Sequence, residues 1–366
     1  MLCLLGPIRP TRAYYHCTHC RHGQCPGDDA LGLGDGDLTP GATELVSLFG
    51  VTESFATAAQ KHLIKAAGLR VSESTVRRIT EAVGTELGHR QQVGEVFGPA
   101  RDWAWHKDAD GKTCAYVSID ATGVRQQGPR GAAAEGRMAT VAMVYNPIPE
   151  EDSRKATAKP TWQARYLATL DGPTALAEPL RRQAAQVGLA RAERWIALSD
   201  GGSGLEDWLR SHFTRVDAVI LDFYHASEHL GALAKAWEGV GTDEAKARHA
   251  GWAHRLKHEG GASMLTELKA LELPSRATVR EAWRATVTYF ENQSHRMDYP
   301  KYRTHGWQIG SGPVESACKT VVGQRLKEAG MRWREPGSDA VCRLRALFLS
   351  EEPQWDAFWD SRRGAA

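Results

Sequence analysis

The chain has 366 residues, of which 42% are hydrophobic and 25% are charged, with 46 Lys and Arg against 44 Asp and Glu. This composition excludes a mainly disordered chain, and a net charge of +2 means that any basic surface must be local. The longest apolar stretches fall short of the ~20 residues of a membrane-spanning helix, and no signal peptide is recognisable, so we expect a cytoplasmic protein that does not bind membranes.

Residues 1–40 contain a close cysteine pair. Cys17 and Cys20 form a C-x-x-C motif on a tight turn, which supplies half of the ligands of a tetrahedral zinc site. The other half would have to include Cys25 or His22, and thiols without a metal are the alternative. We therefore expect a partial zinc knuckle, followed by an irregular linker from Pro26 to Gly41.

Residues 41–100 have the outline of a helix-turn-helix. Apolar residues recur at helical spacing, Gly68 interrupts them near the middle, and Ser72 or Ser74 can cap the second helix. The segment is locally positive, as a DNA-binding region is, although an ordinary helical hairpin with a solvated face is the alternative. The side chains expected to contact DNA here are Arg77 and Arg78.

Residues 101–230 predict alternating strands and helices. The order βββαβαβ, with an antiparallel start and later strands reached through helices, predicts an α/β fold with a ribonuclease H-like mixed sheet. The predicted elements are a strand ending at Asp120, strands beginning at Gly136 and Thr161, a helix from Pro173 to Val187, a strand ending at Asp200, a helix from Gly204 to His212 and a strand ending at Asp222.

The remainder of the chain is predicted to be helical. Residues 231–304 are predicted to form an all-helical insertion, and residues 305–350 are predicted to return to the ribonuclease H-like domain. That last part begins with a helix from Pro313 towards Lys327 and ends with a helix from about Ser338 to Leu349, before a C-terminal tail at 351–366. Aromatic residues expected to pack the inserted helices together are Trp237, Trp252, Trp283 and Phe290.

Three carboxylates stand at the ends of predicted elements, where a mixed sheet exposes functional groups. They are Asp120, Asp200 and Glu315. Small residues follow both aspartates and leave room for a ligand to approach. Three such carboxylates can hold two Mg²⁺ or Mn²⁺ ions roughly 3.5–4 Å apart for an in-line phosphoryl displacement.

Further residues near these carboxylates suit a phosphodiester substrate. Asp222 and His225 are three residues apart on one predicted helix, and we expect them to support the site by fixing the strand-to-helix junction or by orienting a catalytic group. Side chains expected to contact DNA are Lys319, Arg325, Lys327, Arg332 and Trp333. A tryptophan in such a setting is as often packed in the core.

The segments SIDATGV, SDGGSG, LDFYHASEHL and IGSGPVESACKTVVGQRLKEAGMRW resemble DDE transposases of bacterial insertion sequences, specifically the ISKra group allied to the Mutator-like superfamily. The resemblance covers nearly the whole chain. It implies that Asp120, Asp200 and Glu315 are the metal-binding triad, with the helical insertion before the glutamate. It also matches Asp222 and His225 to the D-x-x-H pair of these enzymes, and leaves Asp222 as the alternative second catalytic aspartate.

The resemblance implies a transposase that binds the terminal inverted repeats of its element, cuts DNA and joins it to target DNA, as a homo-oligomer. Members of the group carry another cysteine pair before the knuckle, so a Zn²⁺ site is expected to be incomplete here. Two alternatives remain open from the residues: a ribonuclease H-like nuclease or resolvase without joining activity, and an inactive DNA-binding remnant.

Overall fold

The computed structural model describes residues 1–30, 33, 37–147 and 163–363. Thr161, where a strand was expected to begin, and part of the expected linker lie outside the described residues. The N-terminal segment forms two short hairpins and a one-turn helix. They are β1 (Leu2–Cys3) with β2 (Gly6–Pro7), β3 (Tyr15–His16) with β4 (Gly23–Gln24), and α1 (Pro26–Ala30).

A group of helices follows, as the apolar spacing predicts. Gly68 ends the first part in a left-handed conformation with φ +64°, which costs glycine little, and Ser72 caps the next helix by accepting a hydrogen bond from the Thr75 amide at 3.1 Å. Ser74 is therefore not the cap. The helices are α2 (Pro40–Thr52), α3 (Phe55–Thr57), a π-helical turn (Ala58–His62), α4 (Leu63–Ala67) and α5 (Glu73–Gln92).

The α/β core is a mixed sheet with the predicted order of strands and helices. Its elements are β5 (His106–Lys107), β6 (Thr113–Gln127), β7 (Ala133–Asn146), β8 (Gln163–Thr169), α6 (Ala177–Gln186), β9 (Arg194–Ser199), α7 (Leu205–His212) and β10 (Val216–Leu221). In space the order is β8-β7-β6-β9-β10. Strand β7 is antiparallel to both of its neighbours β6 and β8, whereas β9 is parallel to β6 and β10 is parallel to β9. This topology is compatible with a ribonuclease H-like core.

Strand β6 is longer than predicted, because it continues past Asp120 to Gln127. The Ala-Thr-Gly sequence after Asp120 was expected to end the strand, yet β7 pairs with these residues as far as Gln127 and Ala133. The parallel neighbour β9 pairs with β6 only up to Ser118, so β6 and β7 extend beyond the rest of the sheet as a two-stranded ribbon. Asp120 lies where this ribbon begins.

The region between β10 and the late helices is helical, as its apolar spacing predicts. Trp252 and Phe290 are buried between its helices, and Trp237 and Trp283 pack against them at its edge. The helices are α8 (Phe223–Glu238), α9 (Asp243–Ala270), α10 (Ala277–Gln293) and α11 (Tyr299–Thr304).

The late helices differ from prediction in where they begin and in their regularity. The helix expected from Pro313 begins one residue earlier and is interrupted by a π-helical turn (Cys318–Gly323), and the last predicted helix begins at Glu335, because Pro336 suits its first turn. The predicted tail also contains a helix. The helices are α12 (Gly312–Ala317), α13 (Gln324–Leu326), α14 (Glu335–Leu349) and α15 (Gln354–Arg362).

The N-terminal helices pack on the late helices. Val76, Ile79 and Val83 of α5 are buried, and α5 approaches α14 so closely that a Cβ atom added to Gly84 would lie 2.1 Å from the Ala340 carbonyl oxygen. Buried arginines also connect the N-terminal helices with the late helices. Arg325 donates a hydrogen bond to the Gly50 carbonyl at 2.9 Å. Arg345 donates to the Val51 carbonyl and also to the Thr320 carbonyl.

The two faces of the sheet carry separate apolar cores. Side chains alternate along a strand, so Ala115, Val117 and Ile119 of β6 point towards α6 and α7. Cys114 and Tyr116 point to the opposite face, where the N-terminal helices, the insertion and the late helices lie. Asp120 lies four residues after Tyr116 on β6, so its side chain points to this same face of the sheet.

Candidate active site

Asp120 and Asp200 lie side by side at the edge of the parallel part of the sheet. The last paired residues of the two strands are Ser118 and Leu198, and each aspartate follows two residues later. Side chains two residues apart on a strand point to the same face, so Asp120 points to the same side as Tyr116, and Asp200 to the same side as Leu198. This is the side of the late helices, where Glu315 lies on α12. The structure thus brings all three predicted carboxylates to one face.

The environment of Asp120 reflects this crowding of negative charge. Burial raises the pKa of Asp120, and the charges of Asp200 and Glu315 raise it further, against hydrogen bonds that lower it. Those bonds come from the Ala121 amide at 2.7 Å and the Cys318 thiol at 3.5 Å. The three carboxylates are therefore within electrostatic reach of one another.

Glu315 is held by the turn that precedes its helix. The Ser311 hydroxyl donates a hydrogen bond to Glu315 Oε1 at 2.6 Å. Ser311 is buried, and its backbone amide donates to Asp222 Oδ1 at 3.1 Å. A chain of contacts therefore runs from the end of β10 through Ser311 to the glutamate.

The Asp222 carboxylate is hydrogen-bonded to backbone amides. Its carboxylate, which is 2% exposed, accepts hydrogen bonds from the amides of Tyr224, His225 and Ser311. It thereby caps α8 and joins it to the turn before Glu315. This arrangement favours the junction-fixing alternative for Asp222, and its contact with His225 runs through the main chain and not through the imidazole.

Asp200 is fixed by a residue that the sequence analysis missed. Arg296, which is 1% exposed, donates from its guanidinium to Ser199 Oγ at 2.6 Å and to the Asp200 carbonyl at 3.5 Å. The Asp200 carboxylate accepts from the Gly202 amide at 2.9 Å. No local pattern links Arg296 to an aspartate 96 residues earlier, since only the packing of the insertion brings them together.

Tyr289 is a second residue that the sequence analysis missed. It belongs to α10, stacks on His229 with ring centroids 3.8 Å apart, and lies 5.9 Å from the His225 ring. A Cβ atom on Gly201 would approach the Tyr289 ring to 2.6 Å, which places this ring directly beside the turn after Asp200. Burial raises the pKa of Tyr289, so its hydroxyl stays protonated.

Basic side chains flank the carboxylates. Lys319 and Lys327 are exposed and line the same concavity as Asp120 and Glu315. Lys327 also donates a hydrogen bond to the Thr122 hydroxyl on the ribbon. Positive charge therefore lies next to the carboxylates on the side of α12 and the π-helical turn.

A second basic surface lies between α5 and the segment before α14. We call it the arginine groove, and its arginines are Arg77, Arg78, Arg332 and Arg334. All four are exposed. Glu81 lies among them, and burial raises its pKa although Arg77 and Arg334 act to lower it.

Arg325 and Trp333 are buried, which does not support the DNA contact expected of either side chain. Trp333 donates its indole N–H to the Leu326 carbonyl at 3.0 Å, and its ring lies 5.7 Å from Phe55. The Arg325 guanidinium lies 4.5 Å from the Phe55 ring, and burial lowers the Arg325 pKa to about 10. The aromatic residue is thus packed in the core, which was the alternative reading.

Strand β6 connects the two basic surfaces. The segment around Trp333 pairs with its far end, where the Gln127 amide donates to the Trp333 carbonyl and the Trp333 amide to the Arg125 carbonyl. Gln127 lines the arginine groove, and Asp120 lies seven residues earlier on the strand. At a rise of about 3.3 Å per residue, the groove and the carboxylates are roughly 23 Å apart.

The cysteine pair occupies the turn between β3 and β4. Cys17 and Cys20 are both exposed, and hydrogen bonds from Cys20 lower the pKa of the Cys17 thiol. Within the described part of the chain, no three His, Cys, Asp or Glu side chains are arranged closely enough to hold a metal ion.

None of the described helices combines the length and the apolar character needed to cross a membrane. No protein-family model matches the chain, and no curated protein matches it.

Proposed function

We propose that this chain is a DDE-type transposase, which cleaves DNA strands at the ends of its own insertion sequence and joins them to target DNA. The observation that carries the proposal is the convergence of Asp120, Asp200 and Glu315 on one face of the sheet. The strand order, with an antiparallel β6-β7-β8 and parallel β9 and β10, supports a ribonuclease H-like assignment for this core.

The chemistry of the three side chains suits a hard divalent cation. Carboxylate oxygens are the ligands that Mg²⁺ and Mn²⁺ prefer. Burial raises the pKa of Asp120, and the charges of Asp200 and Glu315 raise it further, a repulsion that a bound cation would relieve. Among the described residues no three such side chains, these three included, are arranged closely enough to hold a metal ion as they stand. Asp120, Asp200 and Glu315 would therefore have to draw together around the ions, which would supply an activated attacking oxygen and a stabilised leaving oxygen.

The surrounding residues keep these ligands in place. Arg296 ties the end of β9 to the insertion, and Asp222 ties β10 to Ser311, whose hydroxyl orients Glu315. Lys319 and Lys327 offer charge to the phosphates of a DNA strand that reaches the carboxylates. In this proposal the three carboxylates act as metal ligands and not as nucleophiles.

The arginine groove suits the duplex of a terminal repeat. At 3.4 Å per base pair, the roughly 23 Å between groove and carboxylates corresponds to about seven base pairs. One duplex lying along β6 would therefore reach both surfaces. Pairing of two DNA ends by a homo-oligomer, and Zn²⁺ at Cys17 and Cys20, rest on the family resemblance alone.

Isosteric variants test the proposal on DNA that carries the ends of the encoding element. In the presence of Mg²⁺ we expect Asp120→Asn, Asp200→Asn and Glu315→Gln to lose joining by about a hundredfold or more, because each removes a ligand charge. Asp222→Asn should weaken joining less and lower the melting temperature, since it disturbs a junction. Glu272→Gln, at an exposed acidic residue, is the control and should join like the wild type.

The outcomes separate the competing functions. Cleavage without joining by the wild type would indicate the nuclease or resolvase, and end binding without cleavage would indicate a DNA-binding remnant. Full joining by all three triad variants would overturn the assignment of the carboxylates.

A further inference from the structure

Tyr224 is an exposed aromatic residue at the rim of the candidate active site. Its side chain is 65% exposed. Within the described part of the chain from residue 101 onwards, no other phenylalanine, tyrosine or tryptophan is exposed. A ring of this size that stays in water forgoes the stabilisation that its burial would give, so it does not serve the core.

The position of the Tyr224 ring is nevertheless well fixed. Tyr224 is the second residue of α8, and its amide donates a hydrogen bond to Asp222 Oδ1 at 3.2 Å. The ring lies against Gly310, where a Cβ atom would come within 2.9 Å of it, and it meets the Phe223 ring edge-on with centroids 5.5 Å apart. One part of the ring therefore rests on the turn that precedes Glu315, and the remainder is open to solvent.

The order of the strands places Tyr224 near the carboxylates. Strand β9 lies between β6 and β10, so Asp120, Asp200 and Tyr224 follow one another across the sheet. With about 4.8 Å between neighbouring strands, Tyr224 is displaced roughly 10 Å from Asp120 in this direction. Lys319 and Lys327 line the concavity beside Asp120 itself. A DNA strand held by these lysines and running across the ends of β6, β9 and β10 would reach the exposed ring.

An exposed, uncharged ring suits a nucleobase, because every base has an aromatic face on which a side chain can stack. Bases inside a duplex have both faces covered by their neighbours, so the ring can stack only on a base that has left the duplex. At 3.4 Å per nucleotide along a strand, the roughly 10 Å from Asp120 correspond to about three nucleotides.

We propose that Tyr224 is a substrate-binding residue, which stacks on an unpaired base within about three nucleotides of the scissile phosphodiester. This rests on the proposed function and deepens it, because it assigns a nucleobase contact to the rim of the same site. The stacked base would hold its strand so that the phosphodiester stays at the carboxylates. Tyr224 contributes neither a proton nor a charge to the reaction.

The test compares Tyr224→Ala and Tyr224→Phe with the wild type in the full chain. With Mg²⁺ and end-bearing DNA, Tyr224→Ala should join strands about tenfold more slowly, whereas Tyr224→Phe, which keeps the ring, should join at nearly the wild-type rate. Both variants should melt near the wild-type temperature, because the side chain is exposed. Val240→Ala is the matched control, since Val240 is an exposed apolar residue just beyond the other end of α8, and it should join like the wild type.

DNA that lacks a single base gives a second readout, which a merely structural role of Tyr224 would not change. An abasic nucleotide is placed in turn at each position around the scissile phosphodiester. At one of these positions, the difference in joining rate between the wild type and Tyr224→Ala should disappear. A fluorescent base analogue at that position should be quenched by stacking when the wild type binds the DNA without Mg²⁺, and should stay bright with Tyr224→Ala.

The outcomes separate this inference from the proposed function. Joining by Tyr224→Ala at the wild-type rate, or equal losses in Tyr224→Ala and Tyr224→Phe, would overturn the inference while leaving the proposed function intact. A difference between the wild type and Tyr224→Ala that persists on every abasic DNA would do the same. A wild type that neither cuts nor joins would overturn the proposed function and, with it, the base assigned to Tyr224.

Discussion

Glu81 is a carboxylate set among the arginines of a surface proposed to bind DNA. Burial outweighs the attraction of Arg77 and Arg334, so its pKa in the folded chain is above the ordinary value of 4.5. Between 4.5 and that raised pKa, the folded state binds more protons than the unfolded state, and stability therefore falls as the pH rises through this window. Above the pKa of Glu81 in the folded chain, the full loss of stability from its buried charge is present.

We therefore expect Glu81→Gln to stabilise the chain at pH 7, by on the order of 1–2 °C in melting temperature, since the group is half exposed and screened. The gain should disappear below pH 4.5, where the carboxyl is protonated in both states. The variant should also bind DNA more tightly, because it removes a negative charge from the groove. Thermal unfolding between pH 4 and 8 checks this, and a gain that is independent of pH would contradict it.

Residues with local signals could be predicted from the sequence, and residues that depend on distant packing could not. Asp120 and Asp200 stand out because small residues follow each of them where the sequence predicts the end of a strand. Tyr289 and Arg296 carry no such signal, because each reaches the site only through the fold of the insertion. The burial of Arg325 could not be predicted either, since Phe55, the ring it packs against, is 270 residues away in sequence.

Helix α5 is joined to α14 by contact between backbones at Gly84. We expect Gly84→Ala to destabilise the chain by on the order of 1–3 kcal/mol, because its Cβ atom would lie 2.1 Å from the Ala340 carbonyl oxygen and force the helices apart. Chemical denaturation measures the change.

Gly251→Ala is the matched control for this prediction. Gly251 is an exposed glycine within α9 with open space around it, so alanine there should stabilise the helix by about 0.5–1 kcal/mol. Equal effects of the two substitutions would argue against a tight contact between α5 and α14.

At the scale of elements, the order of strands and helices follows from periodicity, whereas their ends follow from pairing. Strand β6 passes Asp120 because β7 continues to pair with it, although Ala-Thr-Gly resembles the end of a strand. The π-helical turn after Glu315 was not foreseen either. Its apolar pattern is that of an ordinary helix, and only contacts such as that of Cys318 with Asp120 distinguish it.

For the molecule as a whole, a net charge of +2 conceals a local basic surface. If the arginine groove contacts the phosphates of a duplex, Arg77→Ala and Arg332→Ala should each weaken binding and reduce the slope of log K against log salt by about 0.9. Arg284→Ala, at an exposed arginine of the insertion, should leave the slope unchanged. Salt titrations of DNA binding decide this, and an unaltered slope in both groove variants would exclude the groove as the duplex-binding surface.

The buried arginines that join the N-terminal helices to the late helices have a consequence during protein synthesis. Arg325 bonds to a carbonyl made 275 residues earlier, and Arg345 to one made 294 residues earlier. At about 5–20 residues per second, a ribosome needs roughly 15–60 s to pass from one partner to the other. The apolar face of α5 therefore emerges from the ribosome long before α14 exists to cover it, and this part of the chain completes its fold only after α14 has been made.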